Sequence, residues 1–427
     1  MVRQFEDGLA FARAMDEQDP LRRFKERFYI PQDGIYMDGN SCGLCSRDAE
    51  ETLLRALDDW KTYGIDVWSH PEANYFLYQD RLASLMAPLI GAKGSEVTIC
   101  TNTTINIHKA LATFYHPTPE RFRILLDDLN FPTDKYAVDS QVKLHGLDPA
   151  DAVKVVPSRD GKTLHEEDLI EAMTEDVCLI LLPAVLYRSS YLVDMKKIAD
   201  AARDRGIICG FDLSHSIGSV PHDFAAIDCD FAVWCNYKYL NGGPGAIAGL
   251  YINEKHFDRG PGLAGWQGNR KDTQFDLNMN FEPAHYAGAW QTGTQPILSM
   301  APIEGSLRMF AEAGIEQVRA KSLNLTAYLM YLIDEKLKTW GFSYGNPTQD
   351  DRRGGHVALE HEDAIRINKA LKDRGVIPDF RYPNVIRLAP VAFYVSYEDV
   401  YRLVEILIDI MESRAYEQYD GHRGTVA

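Results

Sequence analysis

Between residues 95 and 255 short apolar runs alternate with helix-like segments, and this alternation restricts the fold more than any other feature. The runs are EVTIC, FRILLDD, VCLILLPAV, GIICGFDL, FAVWC and AIAGLYI, separated by patterns such as MKKIADAARDRG. Near-continuous apolar strands with helices between them are the mark of a parallel sheet covered on both faces. The chain is therefore expected to have an α/β core with a mostly parallel central sheet. After residue 298 the pattern changes. Leu325, Tyr328, Leu329, Leu332 and Ile333 recur at three- and four-residue spacing and form one apolar helix face. Strand-like HVALEH and NVIRLAP then alternate with helix-like EDAIRINKALKDRG and YEDVYRLVEILIDIMES, which predicts a second, smaller α+β domain. The expected division is an N-terminal arm over 1–35, with a helix over 5–28 packed on the small domain, a large domain over 36–304, and a small C-terminal domain over 305–427. The last residues, EQYDGHRGTVA, read as a frayed tail.

Composition excludes several functions. The 427 residues, 45% hydrophobic and 25% charged, suffice for one large and one smaller core. A formal charge of −17, from 62 acidic and 45 basic residues, opposes binding to nucleic acid or to an anionic membrane. The N-terminus mixes charges throughout and resembles neither a signal peptide nor a membrane span, so a cytoplasmic protein is expected. Seven cysteines, most in or beside apolar runs, read as free thiols. Cys42 and Cys45 have C-x-x-C spacing, but no second pair or nearby histidine completes a zinc set, and no H-E-x-x-H occurs. No metal is expected.

Ligands of open α/β sheets bind outside the carboxyl ends of the strands, and several of these strands end in polar residues. GIICGF delivers Asp212, Ser214 and His215. FAVWC runs into NYKYLNGGPG, placing Lys238 at a strand end before a glycine-rich turn. Such a lysine suits a Schiff base with a carbonyl cofactor, and an aspartate one strand earlier suits a buried cation. Pyridoxal phosphate needs that pair: the lysine holds its aldehyde, and the aspartate keeps the ring nitrogen protonated. Thr101, Thr103 and Thr104 introduce an apparent helix whose hydroxyls and N–H groups could cradle a phosphate. LNFPTDKY presents Phe131 and Asp134 at another strand end. Each feature alone has an ordinary structural reading as cap, core or solvated charge; their order at successive strand ends points to one site.

These residues resemble the kynureninase family of fold-type-I pyridoxal-phosphate enzymes. The resemblance rests on NSxG, NTxTxNxH, FPxD, DLxHxxG, WCxYKYLNGGPGxIAG, GWxG, GTQP, AGIxxxRxKSxxLTxYL and NxIRxAPxxxY, from about residue 36 to about residue 400. It implies hydrolytic cleavage of kynurenine to anthranilate and alanine. It further implies that Lys238 binds the cofactor and shuttles protons, that Asp212 pairs with the pyridine nitrogen, and that His215 lies beside the ring. Thr103, Thr104 and Tyr237 would contact the phosphate, with Tyr237 also a proton-transfer group, and Phe131 and Asp134 would flank the ring. Arg387 would grip the substrate carboxylate, with Ser41 near the substrate. Trp266 and Thr294 would reach cofactor or substrate from the second subunit of a homodimer. Ile65 stands where animal enzymes carry a histidine associated with 3-hydroxykynurenine, so unhydroxylated kynurenine is favoured.

Departures from the family pattern cluster on the substrate side: Cys42 in NSCG, Gln267 and Asn269 in GWQGN, Arg188 in YRSSY, and Pro183 in place of a serine. They suggest a reshaped pocket. The competing readings are a related pyridoxal-phosphate enzyme acting on another β-acyl-alanine, a β-lyase, desulfurase or epimerase, and a binding protein that kept the fold without the chemistry.

Overall fold

The computed structural model describes residues 4–31, 34–422 and 424. A short strand, β1 (Ile35–Tyr36), leads from the N-terminal arm into the main sheet. That sheet consists of β2 (Val97–Ile99), β3 (Arg123–Asp127), β4 (Val153–Val156), β5 (Val177–Pro183), β6 (Ile208–Asp212), β7 (Phe231–Trp234) and β8 (Gly249–Ile252). Its order is β2-β8-β7-β6-β5-β3-β4, with β8 antiparallel to both neighbours and every other pairing parallel. All six expected apolar runs become strands. The unexpected one, β4, is an edge strand whose VKVV is partly solvent-accessible and too short to show a period.

Alternate residues of single strands supply opposite faces. Leu125, Ile180, Leu182, Ala232 and Trp234 join one buried cluster, whereas Ile124, Leu126, Leu179, Leu181, Phe231 and Val233 join the other. Both faces are dry because helices cover both, which is why the runs lack polar alternation. Where β7 and β8 pair, Gly249 lies opposite Trp234, and a Cβ there would stand 2.0 Å from the indole.

The C-terminal region carries an antiparallel sheet of β9 (Ser343–Tyr344), β10 (Val357–Glu360), β12 (Asp379–Arg381) and β13 (Val385–Leu388), ordered β12-β13-β10-β9. The strand between, β11 (Val376–Ile377), pairs in parallel with β1. Helices Ala364–Asp373 and Tyr397–Glu412 accompany the sheet. Leu325, Tyr328, Leu329, Leu332 and Ile333 are all completely buried along one helical stretch. Helix Ile297–Ala313 runs without interruption through the expected 304/305 division.

Two local expectations are corrected. The helix expected over 5–28 is two pieces, Leu9–Gln18 and a 3-10 segment Arg22–Arg27. Pro20 disfavours a helical residue before it, and Asp19 is extended there, with its carboxylate accepting from Leu21 N–H at 2.9 Å. The arm still packs on the C-terminal region: Asp16 accepts from Tyr397 and Glu398 N–H (2.7 and 3.0 Å), capping helix Tyr397–Glu412. The buried Lys321–Asp19 pair, at 2.6 Å, adds a second tie. The expected frayed tail is held as far as His422, because Lys369 Nζ donates to the carbonyls of Asp420 (3.1 Å) and His422 (2.9 Å). Arg423 and residues 425–427 of that tail lie outside the described residues. Among the described residues no helix is long and apolar enough to cross a membrane, and no group of His, Cys, Asp and Glu could hold a metal ion.

Candidate active site

The lysine is placed by the turn that leaves β7. Asn236 is buried and its side-chain amide donates to the Ile247 carbonyl at 2.6 Å, while its own carbonyl accepts from Gly242 N–H at 2.8 Å. Asn241 and Gly243 take positive φ (53° and 91°), which reverses the chain. Lys238 Nζ thereby comes to 2.9 Å from Nε2 of His215, which follows β6. The Phe131 ring centroid lies 5.9 Å from Nζ, and its ring meets Tyr187 edge-on at 5.4 Å. Tyr187 in turn lies 6.3 Å from the His215 ring, and His356 lies 6.4 Å from it.

The electrostatics of this pocket are unusual for a lysine site. Asp212, at the end of β6, is buried, with Oδ1 accepting from Ser214 N–H at 2.7 Å. Burial pushes its pKa up, opposed by Lys238. Asp134 is completely buried and neither carboxyl oxygen has a hydrogen-bond partner among the described residues. Burial, then Asp212 and Asp127, drive its pKa well above the ordinary range; Asn130 lies close enough to oppose this without hydrogen-bond geometry. Burial likewise pushes Asp127, at the end of β3, up to about 7. His215 is driven well below its ordinary value by burial, Lys238 and Arg387, so a neutral ring accepts from the lysine. His356, also buried, falls to about 3 for the same first reason.

Helix Thr103–Phe114 begins beside this cluster. Asn102 caps it by accepting from Ile105 N–H at 3.0 Å, and Thr104 Oγ1 lies 2.7 Å from Thr133 Oγ1, which joins the helix start to the Phe131–Asp134 turn. Thr104 is thus tied to the ring-side residues, with Thr103 next to it at the helix start. Thr101 is not free for a ligand in the same way: its hydroxyl is bonded to Asn106 Oδ1 at 2.5 Å.

On the other side, Arg387 of β13 is buried and contacts Asp379 of β12 through Nε and Nη2. Its Nη1 donates to the Tyr187 carbonyl at 2.9 Å and its Nη2 to the Ser41 hydroxyl at 2.7 Å. Gly43 N–H donates to the Tyr237 carbonyl at 2.7 Å, tying the NSCG turn to the lysine segment. Cys235 and burial raise the Tyr237 pKa, so its phenol stays protonated. Asp38 is pushed up to about 6 by burial and by Asp379.

Lys238, Asp212, His215, Phe131, Asp134, Thr104, Tyr237, Arg387 and Ser41 therefore form one connected neighbourhood. Trp266 and Thr294 are exposed, and their loops are joined by Gln267 N–H to the Thr292 carbonyl at 3.0 Å; no described contact brings either to Lys238. Ile65 is 79% exposed and lines an apolar groove of about 730 Å³ with Trp60, Ile297 and Leu298, a lining that includes neither Lys238 nor Arg387. Two departures from the family pattern serve their own loop: Gln267 Oε1 accepts from Gln274 at 3.3 Å, and Asn269 Oδ1 accepts from Glu282 N–H at 2.8 Å. Cys42 is half-buried and Cys45 exposed, and both are free thiols. Asp379, Arg381 and His356 escaped the sequence reading. The only available signal for Asp379 was an acid in the hairpin partner of NVIRLAP, and its significance depends on strand register.

Known proteins resemble the chain in family model, in sequence and in fold. The family described as the kynureninase C-terminal domain matches residues 318–407. A protein named kynureninase from Geobacillus thermodenitrificans is 53% identical over 422 residues, 99% of each chain. One from Shouchella clausii is 49% identical, covering 98% of this chain and 97% of that one. Among solved structures, a cysteine desulfurase from Thermococcus onnurineus has TM-score 0.76 at 16% identity, covering 92% of this chain and 98% of its own. A cystine C–S lyase complexed with cysteine persulfide has TM-score 0.74 at 17% identity, covering 88% and 98%. These structures share the fold, whereas identity above half along almost the whole length is what decides membership: the chain belongs to the kynureninase family.

Proposed function

We infer that the chain hydrolyses the Cβ–Cγ bond of L-kynurenine to anthranilate and L-alanine, with pyridoxal 5'-phosphate as cofactor. The observation that carries this reading is Lys238 at 2.9 Å from neutral His215 beside buried Asp212, in a chain 53% identical to proteins named kynureninase. The site suits the cofactor. Asp134, without a partner for either oxygen among the described residues, and Asp212, which accepts from Ser214 N–H on Oδ1, are buried carboxyl groups suited to a cationic partner, which a protonated pyridine nitrogen is. Thr103, Thr104 and Tyr237 would hold the phosphate, with Phe131 and His215 beside the ring. When bound, pyridoxal phosphate supplies an electron sink for charge developing on the substrate carbons.

The chain's own groups do the rest. Arg387 orients the substrate by its α-carboxylate, with Ser41 alongside. Lys238 Nζ removes the α-proton and returns a proton to Cα after the Cβ–Cγ bond has broken, and His215, being neutral, leaves that amine without a competing cation. Water adds to the γ-carbonyl and the Cβ–Cγ bond breaks: the aryl carboxylic acid departs with the water oxygen, and Cβ keeps the electron pair. The Tyr237 hydroxyl, held protonated, donates a proton to Cβ.

The finer parts of the reading belong to the same proposal. Ile65, whose groove includes neither Lys238 nor Arg387, would favour unhydroxylated kynurenine only from the site of a second copy. Exposed Trp266 and Thr294 would complete the site of a second copy in a homodimer, which suits their lack of contact with Lys238 here. The division at 35/36 and 304/305, a cytoplasmic location and a place in tryptophan catabolism complete it. Incubating the purified holoenzyme with L-kynurenine should generate anthranilate fluorescence. Turnover of other amino acids with no anthranilate formed would overturn the reading.

A further inference from the structure

β12 and β13 pair so that Asp379 lies directly across from Arg387, and both side chains are buried. Asp379 Oδ2 contacts both Nε and Nη2 of Arg387, and the same oxygen accepts from Arg381 Nε at 2.9 Å. A guanidinium offers two forked edges, a side edge of Nε with Nη2 and an end edge of Nη1 with Nη2. Asp379 takes the side edge. Among the described residues the end edge donates to neutral acceptors, the Tyr187 carbonyl on Nη1 at 2.9 Å and the Ser41 hydroxyl on Nη2 at 2.7 Å, while the Asp38 carboxyl acts on the guanidinium through space. An anion arriving at Arg387 can therefore be gripped only end-on, where it replaces weak neutral contacts and does not displace a buried carboxylate.

We propose that Asp379 is a positioning residue that turns the end edge of Arg387 to the substrate, with Ser41 and the Tyr187 carbonyl marking where the two carboxylate oxygens lie. This rests on the carboxylate-binding role given to Arg387 above. Arg381, held on the same oxygen, stiffens the arrangement from the solvent side. Selectivity for a free α-carboxylate over its ester is the consequence, because only a carboxylate can accept from both end-edge nitrogens with full charge.

The test uses the holoenzyme and its Asp379→Asn and Asp379→Ala variants, with kcat and KM for L-kynurenine and the binding of L-alanine and its methyl ester. Asp379→Ala should raise KM about 10- to 100-fold with kcat within about threefold, and the acid-over-ester preference should fall by a similar factor. Asp379→Asn, which keeps one acceptor oxygen, should fall between wild type and Ala. A purely structural role would weaken acid and ester equally, and that result overturns the proposal, as does a lower kcat at unchanged KM. Removing a carboxylate from two guanidiniums can prevent folding; if the Ala variant fails to melt cooperatively, the isosteric Asn variant decides by the same ratio. Should wild type form no anthranilate, the functional reading fails, while the acid-over-ester ratio still judges Asp379 separately.

Discussion

Replacing Asp127 with Asn probes the buried acids beneath the site through their proton linkage. Asp127 ends β3 and is 4% exposed; among the described residues Oδ1 accepts from Leu129 N–H at 2.9 Å and Oδ2 has no partner. Burial raises its pKa from 3.8 to about 7. The folded carboxyl thus holds its proton more tightly than the unfolded one, so this group favours folding at low pH and the advantage is lost as pH rises from about 4 to about 7. At 1.36 kcal/mol per pKa unit, the full span is worth about 4 kcal/mol, and the part between about pH 5 and pH 8 is about 2.5 kcal/mol. Asn keeps an acceptor for Leu129 and does not titrate. Asp127→Asn should therefore gain on wild type by about 2.5 kcal/mol when pH is raised from about 5 to about 8. Urea unfolding of both proteins at the two pH values, followed by tryptophan fluorescence, measures this, and the pairwise difference cancels groups common to both. An offset that is the same at both pH values would falsify the claim that burial governs this carboxyl.

Three further outcomes follow from the same geometry. Lys238→Ala should lower anthranilate formation by at least about 10³-fold with its melting temperature retained, and full activity in that variant would refute the assignment of the site. Tyr237→Phe should lower kcat about 10²- to 10⁴-fold with little change in KM, since the phenol acts as acid and the ring is preserved; an unchanged kcat removes Tyr237 from proton transfer. Gly249→Ala sets a Cβ 2.0 Å from Trp234 and should destabilise the protein by about 1–3 kcal/mol, read as a lowered melting temperature. An unaltered melting temperature would show that the indole can move aside at no cost.

The parts of the site legible in the sequence are those carried by local chemistry at strand ends. Asp212, His215 and Lys238 each follow an apolar run that can only be a covered strand, and such a run delivers its next polar residue to the sheet's carboxyl edge. The NGGPG turn and the Thr-rich helix start are likewise local signals. Less legible were residues whose meaning lies in pairing. Asp379 matters because register puts it opposite Arg387, and His356 because it packs beside His215 across more than a hundred residues. Gln267 and Asn269 read as changes to a pocket, yet their side chains close their own loop. A substitution pattern shows that a residue has changed, not where its side chain points.

The sequence by itself determined the covered parallel sheet, because apolar runs without polar alternation cannot face water on either side, and it determined the lysine–aspartate pair at the carboxyl edge. Tertiary structure alone decided the protonation landscape and the aim of the arginine. Burial leaves Asp134 without a partner among the described residues and His215 neutral, and strand register gives Asp379 one edge of Arg387 while the other meets the Tyr187 carbonyl and the Ser41 hydroxyl. Both depend on distances between segments remote in sequence, where desolvation and Coulomb interaction act through space and leave no local trace in the chain.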